Sequence, residues 1–178
     1  MTFYGAKELE EGFRTVRKNT IIIGEEIPSE QYGFKAAPDV MSVAEMLAHL
    51  AVSPGWQMRT HADRVTSIDI STFGEALARV KAQEQALSSK DAILSALKEG
   101  GETFAAFLGG LSEETLAERV SFSAPMNNSK SRFEMLLSVK EHEMHHRAQL
   151  MLIERQLGIV PHITRQRQAF AAQRTAAR

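Results

Sequence analysis

Three of the chain's six histidines fall in the short run Glu141-His142-Glu143-Met144-His145-His146. His142 and His146 are four apart. On an α-helix that spacing puts both imidazoles on one face, one turn from each other. Two imidazoles so placed can share one divalent metal ion. The run also meets the H-E-x-x-H pattern of metalloprotease helices, in which Glu143 would be the general base. That reading is the weaker one. The further histidine of one protease class would stand six residues after His146, where the chain has Leu152, and no acid follows Glu154 to serve the other class.

The facing of these residues follows from periodicity. Met135, Val139, Leu150, Ile153 and Leu157 recur at helical steps, and His142 and His146 fall in the same series. Both are therefore expected to point inward. His145 shares a polar face with Glu134, Ser138 and Glu141 and is a poorer candidate. Far earlier, His49 lies between Met46 and Trp56 on a second apolar stripe. A lone inward histidine is more often a hydrogen-bonded core residue than a ligand. A pair is more telling, because each neutral imidazole brings two nitrogens that need partners, and one metal serves a nitrogen of each. Three histidines with a fourth position left open is the layout of a catalytic zinc-type site. Its metal would act as a Lewis acid or lower the pKa of a bound water or thiol. Glu45 and Glu143 are the carboxylates expected to orient the rings. His61 and His162 have weaker cases, one near a helix end and one after Pro161.

The elements that must position these groups are helices. Leu9, Phe13, Val16 and Ile23 mark a first helix ending near Gly24. Pro28 to Val40 reads as an irregular connection whose Tyr32 and Phe34 could cover one end of a bundle. Ser42-Val-Ala-Glu45, Thr72-Phe-Gly-Glu75 and Ser131-Arg-Phe-Glu134 each match a capping box and should open helices. Pro54 should bend or break the helix that carries His49. Phe73, Leu77 and Val80 are expected inward on a shorter helix. Ser88-Ser89-Lys-Asp91 starts another, in which Gly100-Gly101 marks either a close helix approach or a break. Residues 120–129 read as loop. The longest helix should end at Gly158, with Pro161 just beyond. No strand-like alternation is visible, so the expected class is all-α. The expected division is a helical domain over 1–162 and a basic tail over 163–178.

Composition narrows the function. The net charge is −1, which gives no whole-chain field for nucleic acid, and neither nucleic acid nor membrane is expected as a partner. Cysteine is absent, which excludes thiolate ligands and a cysteine nucleophile and suits a reducing, cytoplasmic compartment. Any thiol chemistry would need an external thiol.

The segments Met41-Ser-Val-Ala-Glu-Met-Leu-Ala-His49-Leu50, His142-Glu-Met-His-His146-Arg-Ala-Gln-Leu150 and Leu157-Gly-Ile-Val-Pro161, in this order, resemble the DinB/YfiT-like metalloenzymes over most of residues 4–162. The resemblance implies a four-helix bundle with a metal held by His49, His142 and His146. It also implies zinc or nickel as the usual metal, a homodimer, and a low-molecular-weight thiol as cofactor in some members. Ala148 departs from the glycine often found there. The first functional expectation is thus a thiol S-transferase acting on a small-molecule substrate. The alternatives are a metal-assisted hydrolase with Glu143 as base, and a non-catalytic bundle with a structural metal.

Overall fold

The computed structural model describes residues 4–176. Four long helices form an all-α bundle: α1 (Ala6–Glu26), α2 (Val43–Ala62), α4 (Lys90–Gly109) and α6 (Arg132–Gln156). Shorter helices α3 (Phe73–Ala86), α5 (Glu113–Ala117) and α7 (His162–Ala176) are added to it. In α2 and α6 the expected capping boxes form, with Ser42 accepting from the amide of Glu45 and Ser131 from that of Glu134. Gly158, at φ +79°, turns the chain after α6 in the left-handed conformation that glycine adopts without strain. Tyr32 is buried over one end of the bundle and donates to the carbonyl of Gly24 at 2.7 Å.

Pro54 neither ends nor interrupts α2, which runs on to Ala62. A proline cannot donate to the carbonyl four residues before it, which here is that of Leu50. The guanidinium of Arg17 makes up the loss, donating to Leu50 O at 2.8 Å. The same group donates to Leu97 O at 3.0 Å and, through Nε and Nη2, to the carboxylate of Glu143 at 2.9 Å. Arg17 is buried, as is Glu143. Gly101 is the close approach rather than a break: a Cβ there would sit 2.8 Å from Cγ of Arg17.

The buried ion pair divides the interior. Leu9, Phe13, Phe104, Leu136 and Val139 pack on one side of it. Ile23, Leu47, Leu50, Leu97 and Ile153 pack on the other.

Two expectations fail. The chain, expected to be free of strands with loop over 120–129, holds a small sheet: β1 (Ser67–Ile68), β2 (Arg119–Phe122) and β3 (Ser129–Ser131). β2 pairs parallel with β1 and antiparallel with β3. Strands of two to four residues are too short to show an alternating pattern. The box at Thr72–Glu75 does not form either. Asp69 instead caps a 3₁₀ turn at Ile70–Thr72, and the Thr72 hydroxyl donates to Asp69 O at 2.9 Å. On α3, Phe73 and Leu77 are exposed, and Glu84 is the one buried residue.

Candidate metal centre

His49 comes from the middle of α2, and His142 and His146 from successive turns of α6. The four-residue spacing makes the α6 rings neighbours, and packing of α2 on α6 brings His49 to them. Nε2 of His142 lies 3.0 Å from Nε2 of His49 and 3.1 Å from Nε2 of His146. One ligand atom from each residue lies within 4.8 Å of the other two, the single such group among the described residues.

The outer nitrogens fix the proton positions. His49 Nδ1 stands 2.7 Å from Oε1 of Glu84, and His146 Nδ1 2.8 Å from Oε1 of Gln149. Those oxygens accept, so each Nδ1 carries a proton, and a ring holding that one proton presents a bare lone pair at Nε2. Both lone pairs face Nε2 of His142, which can offer at most one proton. The cluster thus has more converging lone pairs than protons to fill them. A cation at the centre resolves that shortage, and zinc–nitrogen bonds of about 2 Å suit nitrogens spaced this closely. Burial is the main cause that pushes His142 down to about 4, followed by the neighbouring imidazoles His146, His49 and His145. Burial likewise lowers His146. Neutral rings near pH 7 are the form that binds metal. The residues present therefore fit a divalent ion.

The carboxylates fall differently from expectation. Glu143 does not face the histidines but is locked on Arg17, so it is neither a ring-orienting group nor a free base. One residue after His142, it sits about 100° round the helix from that ring, towards α1. Glu45 accepts from the amide of Ser42 at 2.8 Å and pairs with Lys35. The ring-orienting group on His49 is Glu84 of α3, which also pairs with Lys81 at 3.4 Å. No local pattern marks Glu84, because its partner lies 35 residues away. On His146 the ring-orienting group is Gln149, one turn further along α6. His145 is exposed; it meets Gln149 at 3.3 Å and the edge of the His146 ring at 5.1 Å, and contributes no nitrogen to the cluster. His61 is buried beside Arg132 (3.1 Å) and Gln57, and His162 beside Asn19 at 3.1 Å, so neither joins the cluster.

Two cavities adjoin the histidines. One, of about 490 Å³, is lined by Met41, His49, Leu77, Ala78, Lys81 and Glu84. The other, of about 420 Å³, is lined by Val40, Met41, Met46, His146, Leu152 and Ile153, among others. Met41 is common to both.

A family model described as the DinB superfamily matches residues 13–150. The chain belongs to the DinB superfamily. Among solved structures it is similar to a DinB-like protein, YjoA, from Bacillus subtilis, with TM-score 0.64 and 21% identity over 85% of this chain and 92% of that one. It is similar to YfiT from Bacillus subtilis, described as a probable metal-dependent hydrolase with an unusual four-helix bundle topology. There the TM-score is 0.69 and the identity 15%, over 89% and 91% of the two chains. It is also similar to the colibactin self-resistance protein ClbS, solved in complex with double-stranded DNA, with TM-score 0.65 and 15% identity over 84% and 95%. No curated protein matches. The ClbS complex overturns the exclusion of nucleic acid for this fold. Net charge is a whole-chain sum that hides local asymmetry: α7 carries Arg165, Arg167 and Arg174 and no acid. No helix among the described residues is long and apolar enough to cross a membrane.

Proposed function

We propose that the protein is a metal-dependent enzyme in which His49, His142 and His146 hold one divalent ion, zinc or nickel, and activate a small nucleophile. The observation that carries this reading is the proton shortage among three converging imidazoles. When bound, the ion supplies a Lewis-acidic position that lowers the pKa of a coordinated thiol or water. The chain's own groups hold the ligand rings, through Glu84 and Gln149, and supply a largely apolar cavity of ordinary ligand size.

Of the two nucleophiles, a low-molecular-weight thiol is favoured for transfer to an electrophile. A water nucleophile calls for a free carboxylate as base, and Glu143, named for that part from sequence, is buried against Arg17. A thiol, at about 8.5 when free, needs far less help to ionise at pH 7 than water, at about 15.7, and so depends less on a base. The test is metal analysis of untagged protein, then assay with small thiols and model electrophiles, and with activated esters in the absence of thiol. Stoichiometric metal with thiol-dependent turnover supports the transferase. Thiol-independent ester cleavage would assign a hydrolase instead. Metal without either activity would leave a bundle with a structural ion. Two copies per assembly belong to the same reading and are measured by sedimentation.

A second reading concerns DNA, raised by the ClbS complex. Residues 165–175 of α7 are exposed, and Arg167 and Arg174 form no ion pair among the described residues. Duplex binding that weakens steeply with salt and falls in an Arg167→Ala/Arg174→Ala variant would support it. No shift of duplex by the intact protein at low salt would remove it.

A further inference from the structure

We propose that Glu84 is a positioning residue for His49 and that, through it, the seating of α3 over the cavity depends on metal loading. The inference rests on the metal reading above and concerns what the ion does to the rest of the chain.

α3 has almost nothing to hold it by apolar burial. Its large side chains Phe73 and Leu77 are 44% and 56% exposed, and Glu84, at 9%, is its one buried residue. The helix is tethered at its ends. Before it, the amide of Ile70 donates to Ser123 Oγ at 2.9 Å, and its first residue, Phe73, meets the edge of Trp56 at 6.0 Å. After it, Leu87 packs on the core. Between those tethers the buried contact is a carboxylate against His49 Nδ1, with Lys81 on its other oxygen.

A carboxylate is buried at a cost unless both oxygens are served. Oε1 is served only while His49 carries its proton on Nδ1 and keeps its ring in this plane. A metal on Nε2 enforces both, because the ring can then bear a proton only at Nδ1. Without the ion, nothing on Nε2 holds the His49 ring in this plane, and a ring that turns takes its Nδ1–H away from Glu84. The carboxylate then does better beside Lys81 in water. Since α3 supplies Gly74, Leu77, Ala78, Val80 and Lys81 to the cavity wall, its seating shapes the space next to the ion. By linkage the dependence is mutual: whatever seats α3 tightens metal binding.

The test uses the full chain and zinc as the probe. Zinc affinity is measured by competition with a chelator, and backbone amide exchange is followed over residues 75–86 with and without zinc. In the wild type, zinc slows exchange in α3 by at least about fivefold, an order-of-magnitude figure for capturing a locally open helix. Glu84→Ala weakens zinc binding about 10–100-fold, the usual effect of removing a ring-orienting partner, and abolishes the zinc-dependent protection. Glu84→Gln, which retains an acceptor oxygen, restores most of both. If Glu84→Ala keeps wild-type zinc affinity, Glu84 has a merely structural role and the proposal fails, even if the melting temperature drops. Wild-type α3 exchange that ignores zinc overturns it without any variant. Failure of the wild type to bind zinc or nickel removes the metal reading, and this inference with it.

Discussion

Arg17 shows what a single side chain decides here. It is 3% exposed, and its guanidinium meets Glu143, Leu50 O and Leu97 O. Removing one partner of a buried pair leaves an uncompensated charge, at about 3–5 kcal/mol. Arg17→Met should therefore lower the melting temperature by about 10 °C, at about 2–4 °C per kcal/mol for a chain of this size. Arg17→Met combined with Glu143→Leu should recover much of that loss in the same thermal melt, since the pair as a whole is replaceable by apolar groups. Glu154 makes a different prediction. It is fully buried, neither oxygen has a hydrogen-bond partner among the described residues, and burial, with Glu26 nearby, pushes it up to about 7. The folded state thus holds a proton that the unfolded chain releases near the ordinary 4.5. Stability from this group is fully present below that value and is lost as pH rises to about 7, by about 3 kcal/mol in all at 1.36 kcal/mol per unit. Denaturant melts of Glu154→Gln between pH 5 and 8 should show a flatter pH dependence and a gain at pH 8. At this scale the histidines were legible and their supports were not. His49, His142 and His146 announce themselves through helical spacing within apolar series. Arg17 and Glu84 meet partners on other helices, 126 and 35 residues distant, and no local pattern encodes such distances.

Helices were legible where their ends are chemically marked. Ser42 with Glu45 and Ser131 with Glu134 cap as their types dictate. Thr72 with Glu75 has the same letters, but Asp69 upstream takes the turn first. The inward face assigned to α3 was wrong because a short amphipathic pattern does not say whether a neighbour exists to cover it. Glycine positions within helices separate two effects. At Gly55 a Cβ would meet only Nη1 of Arg59, at 3.8 Å. Gly55→Ala should stabilise α2 by up to about 1 kcal/mol through helix propensity. At Gly101 a Cβ would run into the Arg17 stem. Gly101→Ala should instead cost about 1–3 kcal/mol despite the same propensity gain, as overpacking does. Chemical denaturation of the two variants side by side checks both signs.

Over the whole molecule, apolar packing on either side of one buried charge pair sets the bundle. An ion bound only by the folded chain should add to its stability by mass action, about 4 kcal/mol at a thousandfold excess over Kd. Thermal melts should then rise by about 8–16 °C on zinc addition and fall back with chelator, and His146→Ala should abolish the response. The ion is not needed to bring α2 and α6 together, however. Arg17 grips Leu50, next to His49, and Glu143, next to His142, and so indexes the two histidine-bearing helices from the far side. If these histidines hold an ion as proposed, the site would be emptied and refilled without refolding, and protein purified from different growth media should carry different metals in the same scaffold.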